Sequence, residues 1–292
     1  MFTIKEYNQQ LNKSYDSLEY FKRWSDYRCE LYKSYGKVLD GISSLCIVGA
    51  GFLNDICIDK LLEQVIDVTL IDIDGKAIKA GLGNHHLQTS FVNIIEEDIT
   101  SLDDDHFFEK IIYMLQADDL SGIRRYLSDD SLEISEFSLE KEFDGVLVSS
   151  IYTQLLLSQY TFLLGQLLKQ EQFEDYLEPF MYFISKVIRK VNSRLLKHVK
   201  DDGVIICFSD ILEYDNSDSK LQNLIENIGN KEYVSLIYDE YIEKYGHGLG
   251  SYGIEDLKEQ MNLIDCSWHI WPFDAKRTML VKMVTGTKKV TA

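Results

Sequence analysis

The stretch "SSLCIVGAGFLNDICIDKLL", residues 43–62, places a short apolar run directly before a pair of glycines. A run of this length without charges is typical of a strand that is buried on both faces of a sheet. The residues that follow, "FLNDICIDKLLEQ", have the apolar spacing of a helix. Gly49 and Gly51 are therefore expected in a turn between a strand and a helix, where a ligand can approach the backbone closely.

Strands and helices alternate after this stretch. We predict a second strand at "DVTLIDID", a helix at "GKAIKAGLGNH", and further strands at "SFVNIIEEDIT", "EFDGVLVSS" and "DDGVIICFSDI". The chain closes with two extended runs, "IDCSWHIWPF" and "RTMLVKMVTG", joined by "DAK". Apolar strands that alternate with helices predict an α/β fold, in which helices cover both faces of a mostly parallel, doubly wound sheet.

The first forty residues carry aromatic residues and leucines among charges, which predicts helices packed before the main sheet. We therefore divide the chain into a helical cap, residues 1–40, and one α/β domain, residues 41–292. Two segments are too long for simple connections and are expected to be insertions, residues 101–142 and 211–255. The stretch "YGHGLGSYG", residues 245–253, contains four glycines and is expected to be the most mobile segment.

One helix is predicted before the fourth strand, and a long helix is predicted after it. A helix over residues 105–116 follows a run of acids, and Asp103 or Asp104 would cap its first turn. The acidic remainder of that insertion is expected to be surface. A long helix over residues 171–200 contains Pro179, which is expected to kink or divide it.

The chain is strongly acidic, with 48 acidic and 30 basic residues and a formal net charge of −18. A field of that sign repels phosphate backbones and anionic membranes, which disfavours a nucleic-acid substrate. The basic segment of residues 186–200 fits the solvated face of a helix. Glutamines interrupt the apolar stretch of residues 151–168, which indicates a core helix and no membrane span.

The N-terminus and the cysteines favour a cytoplasmic localisation. No basic segment followed by an apolar one opens the sequence, so a secretory signal is not expected. The five cysteines form no CxxC pair and no His/Cys spacing of a metal site. Such cysteines are typical of reduced thiols in the cytosol, and we predict no metal site.

The motif Gly49-x-Gly51-x-x-Asn54 is followed by an acid at the end of the second strand, Asp72. Glycines let a ligand touch the backbone, a helix N-terminus offers N–H groups, and a carboxylate can accept both hydroxyls of a ribose. The pattern therefore indicates a site for an adenosine-containing ligand. The alternative interpretation is that the glycines only tighten a turn.

Three features bear on which adenosine ligand is bound. Asn54 stands where a third Gly or Ala would let the helix approach a pyrophosphate, so a pyrophosphate is disfavoured. Asp98 follows the third strand, where it could accept from an adenine amino group while the N–H of Ile99 donates to the ring; the alternative is an exposed acid. The closing strand pair is unlike the usual continuation of a dehydrogenase into a second domain.

On these residues the sequence resembles the class I S-adenosylmethionine-dependent methyltransferases. "IVGAGFLND", "LIDID", "EEDIT" and "FDGVLVSSIYTQL" look like the first four motifs of that family, and "LKHVKDDGVIICFSD" looks like its helix, turn and fifth strand. The ending "SWHIWPF…RTMLVKMV" resembles the antiparallel strand inserted in its sheet. The resemblance covers residues 43–285 and implies a Rossmann-like, seven-stranded sheet of order 3-2-1-4-5-7-6, with strand 7 antiparallel.

The resemblance also implies S-adenosyl-L-methionine as the cofactor and a role for individual residues. Gly49, Ala50 and Gly51 would lie beside the methionine part of the cofactor, and Asp72 would bind its ribose hydroxyls. Asp98 and Ile99 would lie at its adenine, and Ser149 and Ser150 would line the cofactor at the end of strand four. The cofactor-binding residues implied are Gly49, Ala50, Gly51, Asn54, Asp72, Ile73, Asp98, Ile99, Ser149 and Ser150.

Two departures from the family pattern are visible. Asp202-Gly203 stands where the family often has Pro-Gly, and the fourth strand ends in Ser149-Ser150 without the Asn-Pro-Pro-Tyr type of signature. The second departure weakens an assignment to methylation of bases or amides.

Aromatic residues on both sides of the main domain are candidates for closing the site. Arg28, near Trp24 and Tyr27, is a candidate partner for the carboxylate of the cofactor, although a surface arginine on an amphipathic helix fits the pattern too. Trp268 and Trp271 lie three residues apart in an extended run, so one is expected in the core and the other beside the pocket.

A sulfonium methyl group is already activated, so a methyltransferase chiefly holds the acceptor in line and excludes water. If the acceptor must lose a proton, the candidate bases near the carboxyl edge of the sheet are Tyr152, Asp210 and His247. Each has a simpler interpretation, since Asp210 would also cap the next segment and a histidine in a glycine loop is commonly exposed.

The sequence therefore predicts methyl transfer from S-adenosylmethionine to a small or medium-sized acceptor, because large caps and insertions favour an enclosed pocket over a polymer groove. Three alternatives stay open. The glycine turn also suits an NAD(P)-dependent oxidoreductase, the same cofactor can donate its aminocarboxypropyl group, and a non-catalytic protein can retain the fold.

Overall fold

The computed structural model describes residues 3–14, 17–102, 106–129, 139 and 141–289. The predicted capping acids Asp103 and Asp104 lie outside these ranges. Within the described residues, no helix is long and apolar enough to cross a membrane.

Twelve α-helices, three short 3₁₀ helices and seven strands are assigned to the described residues. The first half of the chain contains α1 (Ile4–Ser14), α2 (Ser17–Arg23), α3 (Ser25–Tyr35), β1 (Ser44–Val48), α4 (Ile58–Gln64), β2 (Asp67–Asp72), α5 (Gly75–Asn84), β3 (Asn93–Glu96), α6 (Phe107–Gln116) and α7 (Leu120–Ser128). The second half contains β4 (Phe143–Ser149), α8 (Leu157–Leu167), α9 (Phe173–Lys197), β5 (Val199–Asp215), α10 (Ser219–Glu226), α11 (Lys231–Tyr245), α12 (Leu249–Glu259), β6 (Met261–Trp271) and β7 (Arg277–Lys288).

The strands form one sheet of order β3-β2-β1-β4-β5-β7-β6. Strands β1 to β5 are parallel to one another, and in the centre Cys46 of β1 is paired with Thr69 of β2 and Val146 of β4. Strand β7 is antiparallel to both β5 and β6. The predicted fold, with its reversed seventh strand, is confirmed.

Helices cover both faces of the sheet. Alternate residues of β1 point to opposite sides: Cys46 and Val48 belong to the core formed with α6, α8, α9 and α12, and Leu45 and Ile47 belong to the core formed with α3, α4 and α5. All five residues of β1 are buried. This two-sided burial explains why the strand sequence is a continuous apolar run and does not alternate with polar residues.

The helix expected directly after the glycine turn begins later, at Ile58, and contains only seven residues. The backbone φ angle is positive at Gly49, Gly51 and Leu53, and a right-handed helix cannot contain such residues. Residues 49–57 therefore form an irregular loop. Its apolar side chains still point inward, which is why the sequence pattern looked helical.

Two other segments differ from the prediction. Helix α9 runs unbroken through Pro179, so the proline does not divide it. The glycine-rich stretch expected to be mobile is mostly helix α12, where Gly250 packs on the backbone of Asp210 and Gly253 packs on the ring of Tyr152. These glycines allow a helix to approach β5 and the end of β4 closely, which is a packing role that spacing alone does not reveal.

Helix α7, in the insertion of residues 101–142, is less exposed than predicted, and the basic segment of α9 covers one face of an amphipathic helix. In α7, Ile123 and Leu127 are fully buried against the core, although the segment was predicted to be acidic surface. In α9, the basic segment carries buried Val187 and Val191 on its inner face. Most charged residues lie on the outer faces of both helices, as is usual for amphipathic helices, and Arg194 of α9 is buried.

Replacing Gly253 by alanine should destabilise the protein by about 1–3 kcal/mol, because a Cβ atom there would overlap the fully buried Tyr152 ring. The matched control is Gly165→Ala in α8, where a Cβ would meet no atom within 4 Å. That substitution should stabilise by roughly 0.5–1 kcal/mol. Urea unfolding of both variants measures the difference, and equal midpoints would contradict the packing role.

Candidate functional site

A cavity of about 380 Å³ lies at the carboxyl ends of β1, β2, β3 and β4. This is the edge at which parallel α/β sheets bind their ligands. Helix α1, the α2–α3 region, the start of α8 and the turn between β6 and β7 complete its wall. The residues around it are Ile4, Asn8, Asn12, Tyr20, Trp24, 49–55, 71–73, 97–100, 149–151, 153–156, Ser158, Gln159, Trp271 and Phe273.

The predicted glycine turn forms the floor of this cavity, and its glycines have different reasons to be glycine. Gly49 has a φ of +77°, and a Cβ there would overlap the Ile151 side chain. Gly51 has a φ of +45°, but a Cβ there would meet only an Asp72 oxygen, 4.0 Å away. Gly49 is thus required by packing against the residues that follow β4, and Gly51 leaves open space at the cavity floor.

Asp72 ends β2 and is fixed by backbone donors. Its Oδ2 accepts from the N–H of Gly51 at 2.9 Å, and its Oδ1 accepts from the N–H of Asp74 at 2.9 Å. Burial raises the pKa of Asp72 to about 6, more strongly than these N–H donors lower it. The carboxylate is therefore oriented toward the cavity loop and changes its charge near neutral pH.

The predicted adenine-side residues lie beyond β3. Asp98 lines the cavity, and its Oδ1 accepts from both the N–H and the hydroxyl of Thr100, at 2.9 and 2.7 Å. Its Oδ2 also accepts from the N–H of Leu102 at 3.1 Å. Ile99, between Asp98 and Thr100 in the sequence, is buried in the cavity wall. Asp98 thus shapes the turn that follows β3, and the same residue lines the cavity.

At the end of β4 the structure places an acid that was not among the predicted site residues. Asp55 lines the cavity, and its Oδ2 accepts from the Ser149 hydroxyl at 2.9 Å. Burial raises the pKa of Asp55, and the Ser149 hydrogen bond opposes that shift. The acid directly after Asn54 in the first motif was the available signal, but its contact with β4 arises because residues 49–57 form an irregular loop where a helix was predicted.

Three residues of the cavity wall carry polar atoms without a partner among the described residues. Asn54, Ser150 and Trp271 are each more than nine-tenths buried, and Asn54 Oδ1, Ser150 Oγ and Trp271 Nε1 have no hydrogen-bond partner among the described residues. Ser150 and Leu53 also have positive φ angles of 42° and 55°. Unsatisfied buried groups and strained backbone are both typical of ligand sites.

Arg28 lies behind the loop and does not contribute to the cavity wall. Its side chain is buried, and Nη1 donates to the carbonyl oxygens of Asn54 at 2.6 Å and Phe21 at 3.1 Å. The guanidinium also stacks over the Phe21 ring at 4.1 Å. Arg28 therefore positions the loop that carries Asn54, and the structure does not place it as a direct partner of a ligand.

Helix α1 closes the cavity through three polar contacts. Asn12 Nδ2 donates to Asp74 Oδ2 at 2.7 Å, and Tyr7 donates to the carbonyl oxygen of Ser158 at 3.1 Å. Gln159 Nε2 donates to Asn8 Oδ1 at 3.3 Å. The N-terminal helices therefore form a roof that spans the site from the start of α5 to the start of α8.

An aromatic wall, made of Tyr20, Trp24, Trp271 and Phe273, forms one side of the cavity. The rings of Trp24 and Trp271 meet edge to face at 4.8 Å, and Trp24 Nε1 donates to the carbonyl oxygen of Phe273 at 3.0 Å. As expected, Trp271 borders the cavity, whereas Trp268 packs against Tyr238 in a separate core. The wall joins the N-terminal helices to the β6–β7 turn.

The three predicted bases are not brought into the cavity. Tyr152 is fully buried and donates to Asn192 Oδ1 at 2.8 Å, and burial raises its pKa. Asp210 accepts from Thr153 behind the wall at 2.9 Å, and burial raises its pKa too. His247 is exposed beside the start of α12. The reason is the unexpected position of α12, which packs on Tyr152 and covers the region where a mobile loop was predicted.

The charged side chains around the cavity are all acidic: Asp55, Asp72, Glu97 and Asp98. Among the described residues, no lysine, arginine or histidine contributes to its wall. A search of the same residues finds no group of three or more His, Cys, Asp or Glu side chains arranged to hold a metal ion. The cavity therefore presents a negative potential to its ligand.

No protein-family model matches the chain, and no curated protein matches it. Among solved structures, the chain is similar to the N-methyltransferase NodS from Bradyrhizobium japonicum WM9, with 13% identity over 91% of this chain and 96% of that chain and a TM-score of 0.46. A NodS complex with S-adenosyl-L-homocysteine has 13% identity over 91% and 87% of the two chains and a TM-score of 0.44. An S-adenosylmethionine-dependent methyltransferase from Methanosarcina mazei has 10% identity over 89% and 99% and a TM-score of 0.45.

Replacing Arg28 by methionine should destabilise the protein by about 1–3 kcal/mol, because the buried carbonyls of Asn54 and Phe21 lose their donor. The control on the same helix is Lys33→Met, which breaks only an exposed pair with Glu30 and should leave stability unchanged. Urea denaturation distinguishes the two variants. An Arg28→Met protein as stable as the Lys33→Met protein would rule out the positioning role.

Proposed function

We propose that this chain binds S-adenosylmethionine in the cavity and transfers its methyl group to a small or medium-sized acceptor. The observation that carries the proposal is the joined pair of Gly51 and Asp72, an open glycine floor hydrogen-bonded to an acid at the ends of adjacent parallel strands. This pair provides the close backbone approach and the ribose-binding carboxylate that an adenosine ligand needs.

The residues present fit the cofactor along its whole length. Asp72 would accept the ribose hydroxyls, and Asp98 with Ile99 would meet the adenine. The methionine part would lie between the glycine turn and the end of β4, where Asn54 Oδ1 and Ser150 Oγ lack partners among the described residues. The predicted neighbours Gly49, Ala50, Ile73 and Ser149 all line the same cavity.

Two features argue against a nicotinamide dinucleotide. The cavity wall, so far as it is described, contains no cation to pair with a pyrophosphate, and its acids would repel one. In addition, α4 begins at Ile58, so its N-terminal N–H groups do not directly follow the glycine turn. The proposal therefore favours a cofactor whose charge at the reacting centre is positive.

When bound, the cofactor supplies a sulfonium methyl group that is already activated toward nucleophiles. The task of the chain is then to hold the acceptor in line with that group and to keep water out. The roof of α1 and the aromatic wall enclose the cavity on the sides that the sheet leaves open. An enclosed space of this size supports a small or medium-sized acceptor over a polymer.

S-adenosylhomocysteine and S-adenosylmethionine should each stabilise the protein by roughly 2.7 kcal/mol at a hundredfold excess over the dissociation constant, whereas NAD and NADP should not. A thermal-shift series measures this. Asp72→Ala should abolish the shift, because the ribose loses its acceptor.

The matched control is Asp67→Ala, which removes an acid at the opposite end of β2 and should keep the full shift. A shift with NAD, or an undiminished shift in Asp72→Ala, would contradict the proposal. Product analysis separates the remaining alternatives: methyl transfer releases S-adenosylhomocysteine, and aminocarboxypropyl transfer releases methylthioadenosine. A protein that binds the cofactor but releases neither is non-catalytic.

Binding of S-adenosylhomocysteine should weaken as the pH falls through 6. The ribose hydroxyls donate to an ionised Asp72, and burial raises the pKa of that carboxyl to about 6. The ionised form that binds the ribose therefore predominates above pH 6 and is lost as the pH falls below it. At pH 5 the affinity should be about tenfold lower than at pH 8. Isothermal titration tests this, and the weaker binding of Asp72→Asn should show no such dependence.

A further inference from the structure

One acid in the cavity has no role in the cofactor binding proposed above. Asp72 and Asp98 are assigned to the ribose and the adenine, and Glu97 is exposed at the rim beside the adenine end. Asp55 lies instead at the end of β4, hydrogen-bonded to Ser149. This is the end of the cavity where methyl transfer would take place, so the question is what Asp55 binds.

The residues next in sequence to the Asp55–Ser149 pair, Asn54 and Ser150, also line the cavity. Asn54 Oδ1 and Ser150 Oγ belong to buried side chains and have no partner among the described residues. The first is an acceptor only, and the second can either accept or donate. These two oxygens are assigned above to the methionine part of the cofactor. The Asp55 carboxylate, in a described wall without cations, is complementary to a further group with N–H donors and a positive charge.

On this basis, and resting on the proposed function, we propose that the acceptor is an amine that binds as its ammonium ion against the Asp55 carboxylate. The charge of the whole wall supports this class. An acceptor with a carboxylate or phosphate near the reacting atom would meet only acids in the described wall and would gain no cationic partner.

The aromatic wall suits the remainder of such a molecule. Tyr20, Trp24, Trp271 and Phe273 line the cavity, and aromatic rings attract ammonium groups at distances up to about 6 Å. Trp271 Nε1 adds one neutral donor without a partner in the described structure. The wall thus tolerates an amine with an apolar body.

The proton balance is consistent with Asp55 beside the amine. An ammonium nitrogen has no lone pair, so one N–H proton must pass to the Asp55 carboxylate before the nitrogen can attack. The new N–C bond then forms as the C–S bond breaks, its electron pair stays on sulfur as a neutral thioether, and the product is a methylammonium ion. Burial raises the pKa of Asp55, which makes the protonated form accessible, and the proton later leaves to water.

The test uses two analogues of S-adenosylhomocysteine in which a tertiary nitrogen replaces sulfur and carries either an aminopropyl or a carboxyethyl arm. Both arms project from the position of the transferred methyl group. We expect the aminopropyl analogue to bind on the order of tenfold more tightly than the carboxyethyl analogue by isothermal titration. Asp55→Asn should reduce this preference to within about threefold while leaving the affinity for S-adenosylhomocysteine unchanged.

The control variant is Asp59→Asn, since Asp59 lies four residues away with a side chain that is 55% exposed, and it should keep the full preference.

Equal or tighter binding of the carboxyethyl analogue would overturn the inference, as would binding of S-adenosylhomocysteine with neither analogue. An equal loss for all three ligands in Asp55→Asn would mean that Asp55 holds the cofactor instead. The comparison of the two analogues on the wild-type protein tests the inference even if the Asp55→Asn variant does not fold. Failure of S-adenosylhomocysteine itself to bind would instead refute the proposed function.

Discussion

The hydrogen bond from the Gly51 N–H to the Asp72 carboxylate is the contact on which the site depends. It ties the turn after β1 to the end of β2, and burial raises the pKa of this acid to about 6 even with backbone donors around it. Positive φ angles at Gly49, Gly51 and Leu53 keep the turn irregular. As a result the chain passes over the end of β4 and brings Asp55 to Ser149 before a helix can form.

The rest of the cavity is assembled from segments that are distant in sequence. Arg28 of α3 supports the loop from behind, Asn12 of α1 reaches Asp74 at the start of α5, and Trp24 reaches Phe273 beyond β6. Each contact is a single polar bond between elements that otherwise pack through apolar surfaces. The roof and the aromatic wall therefore depend on the N-terminal helices being docked, and the ligand site and the folded cap are physically linked.

The predicted cofactor residues illustrate what motif spacing can provide. Gly51, Asp72, Asp98 and Ser150 each end a strand or follow one directly, and parallel strands present their carboxyl ends at one edge, so these residues had to converge. Tyr152, Asp210 and His247 were chosen by the same rule but without knowledge of α12. That helix packs on Tyr152 through Gly253, and it fills the space that a flexible loop would have left open.

The sequence by itself determined the order and burial of the strands, the reversed final strand and the position of the glycine turn. These properties depend on local apolar patterning and on the resemblance in motifs, both of which can be read along the chain. Only the tertiary structure decided where α4 begins, that α12 is a helix, and that Asp55, Asn54 and Ser150 share one end of the cavity. These outcomes depend on backbone torsions and on contacts between distant segments, which no periodicity in the sequence encodes.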